Sequence, residues 1–114
     1  MRNNREHGSA AEQKAAAYLE KKGFAILAQN YQTPYGETDI VALDGGYIVF
    51  IEVKSRFGDK YGYGREAVTG AKQQRYRNCA MYFLQRNHYD RPVRFDVVEV
   101  SGREMTIEHI ANAF

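Results

Sequence analysis

The sequence predicts an α/β domain in which a mixed β-sheet is flanked by helices. Two apolar runs, residues 38–43 and 47–54, are joined by Asp44-Gly45-Gly46, a strong local signal for a β-hairpin. One stretch with helical spacing of apolar residues precedes this hairpin and another follows it, and two further strand-like runs come last. With a short strand-like run at residues 24–31 between the first helix and the hairpin, the resulting order is α-β-β-β-α-β-β, which indicates the α/β class.

The composition indicates a folded chain. Its 114 residues suit one core, and 44% apolar and 13% aromatic residues argue against disorder throughout. Cys79 is the single cysteine, which excludes an intramolecular disulfide framework, and no apolar run reaches membrane-spanning length. The first residues lack the apolar core of a secretory signal. We therefore expect a flexible segment at 1–8, a single domain at 9–114, no membrane contact and a cytoplasmic location.

Both predicted helices have recognisable starts and apolar stripes. Ser9 with Glu12 forms a capping box at the first, and Thr69 is a fair N-cap for the second. The stripe of the first helix contains Ala11, Ala15, Tyr18 and Leu19. The stripe of the second contains Tyr76, Cys79, Ala80, Phe83 and Leu84.

The remaining elements are short strands. Residues 24–31 precede a turn at 33–36, and residues 93–100 and 105–110 follow the second helix. Asp96 lies inside the first of these late strands, where an ion pair with Arg94 or a strand-end contact is favoured over catalysis. Cys79 is expected to be packed rather than nucleophilic. The three histidines have no metal-ligand spacing, which argues against zinc.

Three charged residues lie in the apolar hairpin: Asp39, Glu52 and Lys54. Glu52 and Lys54 share one face of their strand, and counting back from the turn places Asp39 opposite Ile51 or Glu52. Carboxylate oxygens suit a hard cation such as Mg²⁺ or Mn²⁺, and a nearby lysine could orient water or stabilise a charged transition state. The alternative is an ion pair of Lys54 with either carboxylate, which spacing alone favours.

Glu12 has two interpretations. It is the capping-box partner of Ser9, or it is a third carboxylate that reaches the hairpin and completes a metal site. Both interpretations place it in the first turn of the helix, so its position does not separate them.

The charge distribution suits a polyanionic partner, and a charged, solvated helix face is the alternative. The net charge is only +2, but residues 54–94 carry +7 and the remainder carries −5. Residues 57–64 mix basic and aromatic side chains, as single-stranded or distorted nucleic acid often requires, although a flexible connection explains them equally well. The candidate nucleic-acid-binding residues are Arg56, Lys60, Tyr61, Tyr63, Lys72 and Arg75.

Asp39 followed by Glu52-Val53-Lys54 resembles the D…(D/E)-x-K motif of the restriction-endonuclease-like nuclease superfamily. The finer resemblance is to the YraN-like family of small bacterial proteins, which look like relatives of archaeal Holliday junction resolvases. It spans residues 8–100. Its remaining features are Glu12, Ala16, Tyr18-Leu19, Gly23, Asn30, Gly36-Glu37, Phe50, Arg56, Ala67-Val68, Lys72 and residues 94–98. Thr38 departs from the aliphatic residue usual there and leaves the motif intact.

The resemblance implies a restriction-endonuclease-like core and a metal-dependent phosphodiesterase site. Asp39 and Glu52 would bind Mg²⁺ or Mn²⁺, Lys54 would be the catalytic lysine, and Glu12 would be the helix carboxylate. The expected function is an endonuclease acting on DNA, with structured or branched DNA among the candidate substrates. The alternative is a module with a nuclease-like fold that binds nucleic acid without cutting it. Cutting both strands of a junction would need two sites, which implies a homodimer for that substrate.

Overall fold

The computed structural model describes residues 10–56 and 70–114, which form two helices and one five-stranded sheet. The predicted α/β class and element order are confirmed. The helices are α1 (Ala10–Lys21) and α2 (Gly70–Asn87). The strands are β1 (Ala25–Thr33), β2 (Gly36–Asp44), β3 (Tyr47–Arg56), β4 (Val93–Ser101) and β5 (Thr106–Ile110).

The strands lie side by side in chain order, and the sheet is mixed. β3 pairs with β4 in parallel, whereas the β1–β2, β2–β3 and β4–β5 pairs are antiparallel. The parallel pair needs a long crossover, and α2 lies within that connection. The sheet can therefore be mixed although its strands follow one another in sequence.

The predicted hairpin forms between β2 and β3. Asp44 pairs with Tyr47 around the Gly45-Gly46 turn, where Gly45 has φ +61°. This left-handed backbone is the conformation that glycine adopts without steric cost. Ile40 pairs with Ile51, and continuing this register by one position sets Asp39 opposite Glu52, one of the two partners that the sequence left open.

Two apolar clusters lie on opposite faces of the sheet. The cluster beneath α1 includes Leu19 and Ile51, which are almost completely buried. The cluster beneath α2 includes Phe50 and Phe83. The neighbouring residues Phe50 and Ile51 of β3 thus pack on opposite faces of the sheet, because side chains alternate along a strand. Most of the buried residues of both helices belong to the predicted apolar stripes, and Cys79 is buried as expected.

β4 carries the predicted Arg94–Asp96 pair. The Nε and Nη2 atoms of Arg94 lie 3.0 and 2.9 Å from the two carboxylate oxygens of Asp96. Nε2 of His109 lies 2.8 Å from Asp96 Oδ2, and the backbone N–H of Asn112 donates to Oδ1 at 2.9 Å. Asp96 is therefore a structural ion-pair residue that joins β4 to the chain after β5.

Several predicted details differ or lie elsewhere. β5 begins at Thr106 rather than Met105, because Met105 adopts φ +53° in the preceding turn. The proposed caps Ser9 and Thr69, the segment 1–8 and the loop 57–64 lie outside the described residues. No helix in residues 10–56 and 70–114 has the length and apolar character needed to cross a membrane.

Candidate active site

Asp39 lies where the regular pairing of β2 and β3 ends. The last hydrogen-bonded register toward this end joins Ile40 to Ile51. Beyond it, the backbone N–H of Val53 donates to Oδ2 of Asp39 at 2.8 Å. This bond joins β3 to the side chain of a β2 residue, so the hairpin itself fixes the position of Asp39.

Glu52 faces the same side of the sheet as α2. It follows Phe50 by two residues, and Phe50 packs in the α2 cluster. The hydroxyl of Tyr76 on α2 donates a hydrogen bond to Oε1 of Glu52. Nζ of Lys72 lies 4.0 Å from Oε2 of the same carboxylate. Side chains from the first two turns of α2 therefore contact both carboxylate oxygens of Glu52.

A small cavity joins the two carboxylates. Its volume is about 80 Å³, and Glu37, Asp39, Glu52 and Tyr76 are among the residues that line it. Glu37, two residues before Asp39, is half-buried at this cavity. The structure thus brings a further carboxylate, which was not among the predicted site residues, next to the candidate site.

The carboxylates influence one another. Burial raises the pKa of Asp39 to about 7, the Val53 hydrogen bond opposes the rise, and the negative charges of Glu12, Glu52 and Glu37 add to it. Burial and the hydrogen bond to Glu52 raise the pKa of Tyr76 well above its ordinary value of 10, so this hydroxyl stays a neutral donor. Crowding of partly buried carboxylates is costly for folding and is characteristic of functional sites.

Aromatic rings form one wall of the cavity. The ring of Phe114 stacks on Tyr76 at a centroid distance of 5.2 Å and on Phe95 at 5.1 Å. All three residues line the same cavity as the two carboxylates. Helical spacing predicted Tyr76 only as a core residue, and nothing in the local pattern indicated that Phe114 would reach the site.

Lys54 is half-buried at the end of the hairpin that follows Glu52. It lies on the same face of β3 as Glu52, and its register partner on β4 is Glu99, a buried residue that sequence reasoning did not select. Within residues 10–56 and 70–114, Glu52 forms its ion pair with Lys72 and not with Lys54. The Glu52–Lys54 ion pair, one of the two ion pairs that the sequence left open, is therefore not formed among the described residues.

The chemical type of the available donors, carboxylate oxygens, suits a hard cation. Asp39 and Glu52 offer carboxylate oxygens on the wall of one cavity, and a divalent cation there would offset their mutual repulsion. No group of three or more His, Cys, Asp or Glu side chains in the described part of the chain is assembled to hold a metal ion. Glu12, half-buried in the first turn of α1, acts on Asp39 through its charge.

The predicted nucleic-acid-binding residues are only partly visible. Lys72 and Arg75 lie near the start of α2, and Lys72 borders the site through Glu52. Arg56 ends β3 and is half-buried. Lys60, Tyr61 and Tyr63 lie outside the described residues.

Comparison with known sequences gives a consistent family assignment. Residues 11–100 match the profile described as "Uncharacterised protein family UPF0102". A UPF0102 protein of Thermodesulfovibrio yellowstonii is 45% identical over 96% of this chain and 96% of its own length. A UPF0102 protein of Syntrophus aciditrophicus is 48% identical over 100% of this chain and 92% of its own length. A UPF0102 protein of Clostridioides difficile is 43% identical over 98% of this chain and 99% of its own length. The chain therefore belongs to the UPF0102 family.

Proposed function

We propose that this protein is a metal-dependent endonuclease that hydrolyses phosphodiester bonds in DNA. The observation that carries the proposal is the meeting of Asp39 and Glu52 at one cavity, with Lys54 next on the Glu52 face of β3. The observed α-β-β-β-α-β order supports the restriction-endonuclease-like core that the sequence motif implies. Similarity to archaeal Holliday junction resolvases makes structured or branched DNA a candidate substrate.

Each side chain has a role that its position allows. Asp39 and Glu52 would hold Mg²⁺ or Mn²⁺, with Glu12 as the candidate third carboxylate. The bound cation would supply Lewis acidity and stabilise negative charge on the phosphate. Lys54 would orient water or stabilise the developing charge. Tyr76 keeps Glu52 in place through its hydrogen bond.

The basic start of α2 supports a polyanionic substrate. Lys72 and Arg75 lie on the helix that covers Glu52, within the segment of the chain that carries +7. Phosphate contacts from such residues position a nucleic acid without reading its sequence. DNA would then approach from the α2 side of the sheet. A homodimer would be needed if the substrate is a junction cut on two strands.

A cleavage assay tests the enzyme proposal. Duplex, single-stranded and four-way-junction DNA are incubated with the protein in Mg²⁺ or Mn²⁺, and products are resolved on denaturing gels. We expect cleavage by the wild type and by the control Glu20→Gln, which alters an exposed residue of α1. Asp39→Asn and Lys54→Ala should lose it. Equal products from all four proteins would exclude this active site.

The contacts of Glu52 favour a second candidate, a module that binds nucleic acid without cutting it. Tyr76 and Lys72 already engage both oxygens of this carboxylate, which would limit its use as a metal ligand. This candidate predicts salt-dependent DNA binding that needs no metal and survives Asp39→Asn. Binding that disappears on chelation of divalent cations would contradict it.

A further inference from the structure

We propose that Tyr76 and Phe95 form a stacking site for one unpaired nucleobase, and that Phe114 occupies this site when nucleic acid is absent. The proposal rests on the proposed function in one respect, namely that the ligand is a nucleic acid. It specifies the substrate further, because a base can enter such a site only from a single strand or a locally unpaired region.

The ring geometry supports a flat ligand. Phe114 is nearly parallel to both neighbours, with interplanar angles of 27° to Tyr76 and 20° to Phe95. In the core beneath α2, Phe83 meets Tyr31 and Phe50 edge-on at 80° and 83° and has one parallel neighbour, Tyr89, at 9°. Phe114 differs in that it lies nearly parallel to two rings, both of which line the cavity. Offset parallel stacking is the arrangement in which aromatic side chains bind nucleobases. A base that replaced the Phe114 ring would stack on the same two surfaces.

The stacking site is physically joined to the candidate active site. Tyr76, Phe95 and Phe114 line the cavity that Asp39 and Glu52 also line. Tyr76 contributes its ring to the stack and its hydroxyl to Glu52, so one side chain links the two. A base stacked on Tyr76 would bring its own sugar-phosphate close to the carboxylates. Lys72, 4.0 Å from Glu52, supplies positive charge beside that position.

The attachment of Phe114 allows its ring to leave. The segment that carries it is held by backbone donors: Asn112 N–H binds Oδ1 of Asp96 at 2.9 Å, and Ala113 N–H binds the carbonyl of Phe95 at 2.7 Å. These bonds fix the main chain and do not involve the half-buried Phe114 side chain. Rotation of that side chain could therefore open the stack while residues 112 and 113 stay in place.

Binding of two matched oligonucleotides tests the proposal. The first is a fluorescein-labelled oligothymidylate, and the second is an abasic strand with the same number of phosphates. Affinities are measured by fluorescence anisotropy in EDTA, so that cleavage does not interfere. The abasic strand keeps the electrostatic attraction and removes the bases.

We expect the wild type to prefer the base-containing strand. Phe114→Ala removes the competing ring and should tighten binding of that strand roughly tenfold, with no change for the abasic strand. Tyr76→Leu should weaken only the base-containing complex by a similar factor. Tyr76→Phe is the matched control, because it keeps the ring and removes the hydrogen bond to Glu52, and it should retain the preference.

Thermal melting of each variant identifies any loss of fold. If Phe114→Ala lowers the melting temperature, Phe114→Leu serves instead, since leucine fills apolar volume without stacking as a ring. Equal affinity for both strands, or no gain in affinity for the base-containing strand when the Phe114 ring is removed, would overturn the stacking site. Cleavage without base preference would retain the endonuclease and exclude the stacking site. Base preference without cleavage would retain the stacking site and exclude the endonuclease.

Discussion

The backbone N–H of Val53 donates a hydrogen bond to Oδ2 of Asp39 across 2.8 Å, so the central hairpin itself orients the most perturbed carboxyl of the candidate site. Burial and the surrounding carboxylates nevertheless raise its pKa from 3.8 to about 7. The carboxyl group of Asp39 therefore binds its proton more tightly in the folded chain than in the unfolded chain. The free energy of unfolding contributed by Asp39 therefore falls as the pH rises from about 4 to about 7.

Asp39→Asn should consequently stabilise the protein at pH 8. Asparagine keeps an oxygen that can accept from Val53 and removes the buried negative charge. A pKa difference of about 3 units sets an upper limit of about 4 kcal/mol for the gain at pH 8, and little gain is expected at pH 4. Urea unfolding at both pH values measures it. Glu20→Gln is the surface control, and a loss of stability at pH 8 would contradict the expected sign.

Divalent cations should stabilise the wild type. A ligand that binds only the folded chain adds about 2.7 kcal/mol at a free concentration one hundred times its Kd. Mn²⁺ or Mg²⁺ should therefore raise the melting temperature at pH 8, and isothermal titration calorimetry should detect binding. Asp39→Asn and Glu52→Gln should reduce both effects, whereas Glu20→Gln should not. Identical metal responses in all four proteins would exclude Asp39 and Glu52 as ligands.

Asp96 should contribute stability at neutral pH. Burial alone would raise its pKa, but the hydrogen bonds from His109, Arg94 and the Asn112 N–H lower it to about 2. Its contribution is therefore complete above about pH 4 and is lost as the pH falls toward 2. Asp96→Asn should cost about 2 kcal/mol at pH 7, because it removes the buried carboxylate that Arg94 and His109 contact, although Asp44 at 3.0 Å still pairs with Arg94.

Urea titrations of this variant and the wild type should converge between pH 4 and pH 2. Glu104→Gln changes an exposed acid near the β4–β5 turn and should leave the unfolding curve unchanged at every pH. A difference between Asp96→Asn and the wild type that stays constant down to pH 2 would show that the effect is not the ion-pair charge.

Gly36→Ala should destabilise the start of β2. Gly36 has φ +142°, and a Cβ there would lie 3.4 Å from Cδ of Arg75 and 3.8 Å from Sγ of Cys79. The unfavourable backbone conformation sets the expected cost at about 1–3 kcal/mol. Gly46→Ala is the matched control, since no heavy atom lies within 4 Å of its Cβ position. Chemical unfolding of the two variants compares them directly, and equal stability would contradict the strain.

Lys72 and Arg75 should contribute to DNA affinity through phosphate charge. Replacing both by alanine should weaken binding of all sequences alike and should lower the slope of log K against log salt concentration by up to about 2. Fluorescence anisotropy at several salt concentrations measures that slope. Arg103→Ala, at the β4–β5 turn, is the control and should leave the slope unchanged. An unaltered slope in the double variant would place the DNA elsewhere.

Local patterns predicted the parts of the site that lie on one hairpin. The Asp44-Gly45-Gly46 turn fixes the register, and the register in turn sets Asp39 opposite Glu52. The Arg94–Asp96 pair could also be predicted from the sequence, because its members are two residues apart on one strand. Such contacts follow from spacing within one element or across one tight turn.

Contacts between elements that are distant in the sequence could not be predicted from local patterns. Helical spacing gives the face on which Tyr76 lies, but it does not show that its hydroxyl reaches Glu52. Phe114 reaches the cavity because its segment bonds to Asp96 and Phe95, a tertiary arrangement without any local signal. The three ligand roles, including that of Glu12, remain predictions that the metal and cleavage experiments address.

The mixed sheet also has a consequence for the order of folding. β1, β2 and β3 follow one another as antiparallel neighbours, whereas the parallel partner of β3 arrives only after α2. Pairing between distant segments forms more slowly than pairing between neighbours. We therefore expect Asp39 and Glu52 to meet early, and Phe95 to close the cavity wall when β4 docks. Until then β3 is an exposed apolar edge, so variants that slow β4 docking would be prone to aggregate.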